Sequence, residues 1–154
     1  MKSRTILPTL VALFAAFMVC FAADVNMGTW KLNDAKSKFS PGAVKFTSVV
    51  IAAAGDSVKV TLDGIDANGK PMHIEWMGKF DGKDYPVTGD PDVDTRAYKP
   101  VNDHTLGVTD KKGGKGFFTS RVVYSADGKT RTVTTVETNA NGTKTSDTSV
   151  YDKQ

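Results

Sequence analysis

Short β-prone segments separated by tight turns run through this chain from residue 29 onward. The segments are rich in Val, Thr, Phe, Tyr and Ile, and Gly-containing turns stand between several of them, as at Asp81-Gly82, Asp127-Gly128 and Asn141-Gly142. Asn-Gly and Asp-Gly pairs tolerate the positive φ angles that two-residue hairpin loops require, so the strands they join are antiparallel neighbours. The pattern predicts an all-β domain whose strands follow one another in an up-and-down meander.

The turns divide the chain into nine predicted strands, and a short further strand fits around Lys83–Val87. The nine are Thr29–Leu32, Val44–Ala54, Ser57–Asp63, Pro71–Phe80, Asp94–Lys99, Thr105–Thr109, Gly116–Ser125, Thr130–Thr138 and Thr143–Tyr151. One short helix of one or two turns is predicted within Asn33–Phe39, capped by Asn33 or Asp34.

Two C-terminal segments, Thr130–Thr138 and Thr143–Tyr151, carry hydroxyl side chains on both faces. Such strands suit a barrel wall with water outside and a partly polar cavity inside. Closure into a barrel of 8–10 strands also removes exposed sheet edges. The alternative is a flat sheet in which these strands are solvated on both sides.

The first 22 residues have the layout of a secretory signal peptide. Lys2 and Arg4 precede an apolar run over Ile6–Ala22, and Cys20 and Ala22 are small residues at a cleavage site. We expect cleavage after Ala22, a single domain over residues 23–154, and a secreted or periplasmic protein. An uncleaved anchor and a lipid on Cys20 are the alternatives.

The charge of the predicted mature chain is close to neutral. Two of the 20 Lys and Arg residues lie in the signal peptide, which leaves 18 against 17 acidic residues. Nucleic-acid binders need a concentrated basic face, so we expect no nucleic-acid partner. We also expect a monomer without stable membrane insertion after cleavage.

Residues for metal or nucleophilic chemistry are sparse. His73 and His104 are the only histidines, and Cys20, the only cysteine, is expected to leave with the signal peptide. The segment Asp90–Asp94 resembles the start of a calcium loop, but Thr95 stands where that loop requires Gly. We therefore predict no metal, no cofactor and no enzymatic activity.

One enzymatic hypothesis stays open. It needs two titratable groups that converge in a pocket, and the sequence offers Glu75 with His73 or with Arg121.

A Gly-x-Trp triplet, Gly28-Thr29-Trp30, opens the predicted mature chain just before the short helix. It resembles the first signature of the lipocalin and fatty-acid-binding superfamily, whose members are calycin-type β-barrels. The resemblance implies that Trp30 closes the barrel floor beneath an Arg or Lys from a late strand. Arg121 and Arg131 are the two candidates by position, and such a contact contributes about 1 kcal/mol.

Two further segments resemble small exported bacterial proteins called lipocalin-like. They are Phe80–Asp90 and the hairpin Ser125–Val133. The activity of those proteins is undefined, so this resemblance implies a fold and an export route but no particular ligand.

The predicted function is binding of a small apolar or amphipathic molecule inside the barrel. Ligand pockets are mostly apolar with a few placed polar groups, which fits a set of inward candidates. The candidates for ligand binding are Glu75, Trp76, Phe80, Phe117, Phe118, Arg121 and Tyr124, and those for barrel closure are Gly28, Trp30 and Arg131. The alternative is a filled barrel that acts as a non-enzymatic interaction or scaffold module of the cell envelope, with the loop Asp81–Asp94 as its contact.

Overall fold

The computed structural model describes residues 25–138 and 142–154; the predicted signal peptide lies outside them. The described residues form ten strands and one 3₁₀ turn, Asp34–Lys36. The strands are β1 (Gly28–Leu32), β2 (Lys45–Ala54), β3 (Ser57–Ile65), β4 (Pro71–Gly78), β5 (Tyr85–Thr88), β6 (Thr95–Asn102), β7 (Thr105–Lys112), β8 (Lys115–Tyr124), β9 (Thr130–Thr138) and β10 (Lys144–Lys153).

The ten strands form one closed antiparallel barrel. Each strand pairs with its neighbours in the chain, and β1 closes the barrel by pairing with both β2 and β10. The predicted all-β meander and its closure are confirmed. The short strand around residue 85 is present as β5, which makes pairs of only two residues with β4 and with β6.

The predicted short helix is present as a single 3₁₀ turn. Asn33 caps the 3₁₀ turn, because its side-chain oxygen accepts a hydrogen bond from the Lys36 backbone N–H at 3.2 Å. Two residues later Lys38 forms a β-bridge with Thr148 of β10. The chain is therefore extended where a second helical turn would have to lie. No helix in the described part of the chain is long and apolar enough to span a membrane.

Alternation along the strands separates the inner face of the barrel from the outer face. On β3 and β4 the inward residues Val60, Leu62, Ile74 and Trp76 are buried, whereas their neighbour Met77 is half exposed. Burial of one face of each strand fixes the register, since a shift by one residue would exchange the faces.

An aromatic cluster fills the interior between β4 and β6. The Trp76 ring lies 4.7 Å from Tyr98 and 5.7 Å from Tyr85, and its Nε1 donates to the Arg96 carbonyl at 2.9 Å. Gly78 makes this packing possible, because a Cβ there would lie 2.4 Å from the Tyr85 ring. Of these three rings, that of Tyr98 also lines the internal cavity.

Trp30 closes one end of the barrel. Its side chain is fully buried, its ring packs 5.4 Å from Tyr124, and its Nε1 donates to the Asn26 carbonyl at 3.2 Å. The Lys153 ammonium lies over the ring at 5.1 Å from its centre. Gly28 adopts a positive φ of 119° beside that lysine, and a Cβ there would lie 2.8 Å from the Lys153 side chain. We call this closed end of the barrel the floor.

Candidate functional site

A cavity of about 640 Å³ lies inside the barrel. Its lining runs from Tyr98, Arg131 and Tyr151 near the floor to the ends of several strands and loops at the opposite side. The mouth is formed by Phe39–Phe46, by the β3–β4 turn at Asp66–Pro71, and by Gly89–Val93 between β5 and β6. The cavity is therefore a blind pocket whose opening lies opposite Trp30.

One wall of the cavity is polar and is built by β8, β9 and β10. Strand pairing sets the inward residues in three successive cross-strand rows above the floor. From the floor upward the rows are Tyr124–Arg131–Tyr151, Val122–Val133–Ser149 and Ser120–Thr135–Asp147. The hydroxyls of Ser120 and Thr135 hydrogen-bond to each other at 2.9 Å. The hydroxyl-rich C-terminal segments thus contribute polar side chains to the cavity wall.

The facing wall is mainly apolar. It is formed by side chains of β2, β3, β4 and β7, namely Phe46, Val49, Leu62, Met72 and Val108. The cavity therefore differs in character around its circumference. A molecule that fills it meets hydrocarbon along β2–β4, the Arg96–Asp110 pair on β6 and β7, and hydroxyls among apolar side chains on β8–β10.

Arg131 lies in the floor row with only 4% of its surface exposed. Its guanidinium carbon is 5.3 Å from the centre of the Tyr151 ring and 6.0 Å from that of Tyr124. Nε and Nη1 of this guanidinium are buried and have no hydrogen-bond partner among the described residues. Burial raises the pKa of Tyr151, so its phenol stays neutral and supplies no opposing charge.

A second buried arginine in the cavity wall is fully matched by an acid. Arg96 on β6 donates from Nε and Nη2 to the two carboxylate oxygens of Asp110 on β7, the second at 2.9 Å. Burial acts to lower the pKa of Arg96, but Tyr98 and Asp110 act the other way and prevail, so its pKa lies above the usual value. This bidentate pair leaves Asp110 engaged and unable to neutralise Arg131.

Acidic groups lie near the mouth rather than the floor. Glu137, Asp147 and Asp90 all line the cavity there, and Asp147 accepts a hydrogen bond from the Ser40 backbone N–H. Burial raises the pKa of Asp90. No group of three or more His, Cys, Asp or Glu side chains within residues 25–138 and 142–154 is arranged to hold a metal ion.

Two predicted ligand-binding residues lie on the outer face of the barrel instead. Glu75 forms an ion pair with Lys59, and Arg121 is exposed on β8. Both alternate with inward residues, Trp76 and Val122, so their side chains point to solvent. His73, the suggested partner of Glu75, is exposed beside it and hydrogen-bonds to Asp63 at 2.6 Å. Glu75 and His73 therefore meet on the outer surface, where His73 Nε2 lies 3.6 Å from Glu75 Oε1, while His73 also borders the cavity mouth.

The predicted aromatic residues are divided between the core and the cavity. Trp76 and Phe80 belong to the aromatic cluster, and Phe80 also lines a separate depression of about 410 Å³ near Pro100–Leu106. Tyr124 is buried between Trp30 and Arg131. Phe118 lines the cavity, and the side chain of Phe117 lies outside the described part.

The cation over Trp30 is Lys153, not Arg121 or Arg131. Pairing of β1 with β10 places Trp30 directly opposite Lys153, whereas Arg131 is opposite Tyr151 in the next inward row. A lysine from the last strand therefore occupies the position for which the two arginines were the candidates. Arg131 is left facing the cavity.

Several lining residues escaped the sequence reasoning. Arg96 and Asp110 lie in strands whose sequences show nothing but ordinary alternation. Only the register of β6 against β7 places the two residues opposite each other. Thr135 was detectable in principle, because it lies in a hydroxyl-rich segment that indicates a polar interior, whereas Ser120 lies in β8, outside those segments.

A scan against protein-family models finds no match to this chain, and a search of curated proteins finds none either.

Proposed function

We propose that this protein is an exported binding protein that holds a small amphipathic molecule inside its barrel. The observation that carries the proposal is the blind cavity of about 640 Å³ with one apolar wall and one polar wall. Pockets for small ligands generally measure roughly 300–1,000 Å³ and combine apolar surface with a few placed polar groups. The resemblance of the Gly28–Trp30 triplet to lipocalins supports the same function.

The size of the cavity favours a ligand carrier over a filled scaffold. A barrel that serves only as a rigid support is expected to pack its interior with side chains at the density of ordinary cores. Here the aromatic cluster around Trp76 fills only part of the interior, and a space of about 640 Å³ stays open to the mouth.

The test is occupancy of the cavity. Protein purified from its own host is examined by native mass spectrometry for a bound small molecule, and an apolar fluorophore is titrated into the emptied protein. Val133→Trp fills the middle of the cavity, since Val133 is an inward residue of β9. Thr132→Trp is the matched control, because Thr132 is the adjacent outward residue of the same strand.

We expect the fluorophore to bind the wild type and the Thr132→Trp variant and to be excluded by Val133→Trp. Absence of any bound species together with equal fluorescence in all three proteins would overturn the proposal. Circular dichroism spectra of the three proteins check that each variant keeps the barrel.

A further inference from the structure

The charges along the cavity indicate which class of molecule it takes, an inference that rests on the proposed ligand-binding function. We propose that the ligand is an amphipathic organic cation, an amine whose ammonium group binds near the mouth between Glu137 and Asp147. Its hydrocarbon chain extends from there toward the floor. The cavity is the binding site, and the two carboxylates select which amphipathic molecule fills it.

Glu137 and Asp147 are neighbours across the β9–β10 pair, and both line the cavity. Glu137 is opposite Thr145 of β10, and Asp147 is opposite Thr135 of β9. The two acidic residues are therefore diagonal cross-strand neighbours, whose Cα atoms lie roughly 7–8 Å apart. An ammonium group between them is within reach of both carboxylates.

Both carboxylates keep oxygen atoms for a further donor. No hydrogen bond or ion pair joins the Glu137 side chain to any other residue within 25–138 and 142–154. Asp147 accepts the Ser40 backbone N–H through Oδ1, which leaves Oδ2 available. An alkylammonium has three N–H donors, as a lysine side chain has, and can therefore bind the two acids together.

Phe118 adds an aromatic ring at the same level of the cavity. Pairing of β8 with β9 places it opposite Glu137, and both residues line the cavity. The face of an aromatic ring attracts an organic cation. This ring favours a cationic ligand independently of the acidic side chains.

The rest of the mouth adds to the negative charge. Asp90 and Asp92 line it from the segment between β5 and β6, and Lys70 is the one lysine among the described lining residues. Lys70 shares its turn with Asp66, whose carboxylate accepts the Lys70 backbone N–H at 2.8 Å, so the two charges oppose each other. A cleft lined by one sign of charge concentrates molecules of the opposite sign.

The charge at the floor sets the orientation of the ligand. Arg131 is enclosed there, and Asp110 is engaged by Arg96, so this end of the cavity is positive. An ammonium group is therefore repelled from the floor. The hydrocarbon chain leads into the cavity instead and packs on apolar residues such as Val49 and Leu62.

The distance between the two ends leaves room for a chain of moderate length. Glu137 and Arg131 are six positions apart on β9, and a strand rises about 3.3 Å per residue, which separates them by about 20 Å along the strand. An extended decyl chain is shorter than this distance and fits below the carboxylates.

Three probes with the same decyl chain separate charge from hydrophobicity. They are decylamine, neutral 1-decanol and decanoate, and their Kd values are measured by displacement of the apolar fluorophore at about pH 7, where an alkylammonium is charged. We expect decylamine to bind about five- to tenfold more tightly than decanol, as the gain of a charge-assisted hydrogen bond predicts, and decanoate to bind most weakly. Added salt should reduce the advantage of decylamine, because Glu137 and Asp147 are only partly buried.

Variants of Glu137 assign the effect to the mouth. Glu137→Gln should bring the affinity for decylamine close to that for decanol, and Glu137→Lys should make decanoate bind more tightly than decylamine. Glu137→Asp keeps the charge and should keep the preference for decylamine, which separates loss of charge from a folding defect. Glu75→Gln is the matched control on the outer face and should leave all three Kd values unchanged.

The outcomes distinguish this inference from the function on which it rests. Equal binding of decylamine and decanol to the wild type, or tightest binding of decanoate, would overturn the cationic assignment. The carrier function would stand in either case if Val133→Trp still blocked binding. An equal loss of decylamine affinity in Glu75→Gln and Glu137→Gln would overturn the placement of the ammonium group at the mouth. Failure of every probe and of the fluorophore to bind the wild type would overturn both proposals.

Discussion

Arg96 and Arg131 are enclosed in the same barrel to almost the same extent, with 6% and 4% of their surfaces exposed. Arg96 meets a carboxylate through two hydrogen bonds, whereas Arg131 lies against two tyrosine rings with two nitrogen atoms unpartnered. Burial alone therefore does not define the role of a charged residue. The hydrogen bonds left unmade separate an arginine whose charge is matched within the scaffold from one whose donors are unmatched.

Removal of the partner of Arg96 should have the largest effect on stability and tests the contrast between the two arginines most directly. Asp110→Ala should destabilise the protein by about 3–5 kcal/mol, because it leaves a buried guanidinium without its counter-charge. Urea unfolding measures the loss. The double variant Arg96→Met with Asp110→Leu should recover most of it, and a double variant as unstable as the single one would show that the pair itself is essential to stability.

Removal of Arg131 should not lower the stability of the ligand-free protein. Arg131→Met eliminates two unsatisfied donors that cost about 1–3 kcal/mol each while losing ring contacts of about 1 kcal/mol, so the ligand-free protein should be as stable as the wild type or more stable. The same urea experiment provides the measurement. A loss as large as that of Asp110→Ala would show that Arg131 is a scaffold residue too.

Lys153 is a further cation that lies over an aromatic ring, at the floor of the barrel. Lys153→Met should lower the free energy of unfolding by about 0.5–1 kcal/mol, since its ammonium is partly solvated and the contact is a cation–π interaction at the surface. Thermal unfolding followed by Trp fluorescence measures the change, with Lys144→Met on the same strand as control. An unchanged unfolding midpoint would show that the contact between Lys153 and the Trp30 ring does not contribute to stability.

Loss of the exposed contact between Asp63 and His73 should change the stability least. The hydrogen bond from His73 to Asp63 raises the pKa of His73, and the charges of Asp63 and Glu75 raise it further. A raised pKa in the folded state stabilises the protein below the ordinary pKa of histidine, and the contribution disappears as the pH rises through the raised value. In Asp63→Asn the His73 pKa should fall, as NMR titration of the ring protons would detect; an unchanged pKa would contradict the assignment.

The sequence predicted the barrel well because its signals are local. Turn pairs such as Asp127-Gly128 mark the hairpins, and alternation over Val58–Leu62 marks the buried face. The predicted site was less accurate for a physical reason. Glu75 and Arg121 stand next to buried residues, and one position along a strand decides whether a side chain enters the cavity or the solvent.

The contacts that charged side chains make across strands could not be predicted from the local sequence pattern. The contact between Arg96 and Asp110 depends on how β6 meets β7, and the choice of Lys153 over the two arginines depends on the pairing of β1 with β10. These registers are settled by the closed barrel as a whole and not by any single segment.

The pairing of β1 with β10 has a consequence for the order of events during folding. The two strands that close the barrel are separated by more than a hundred residues of chain, from Leu32 to Lys144. The hairpins between them join neighbouring segments of the chain, whereas the first strand stays unpaired on one side until the last strand arrives. Contacts so distant in sequence slow folding, so closure at Trp30 should be the late, rate-determining step of a chain whose other pairings form quickly.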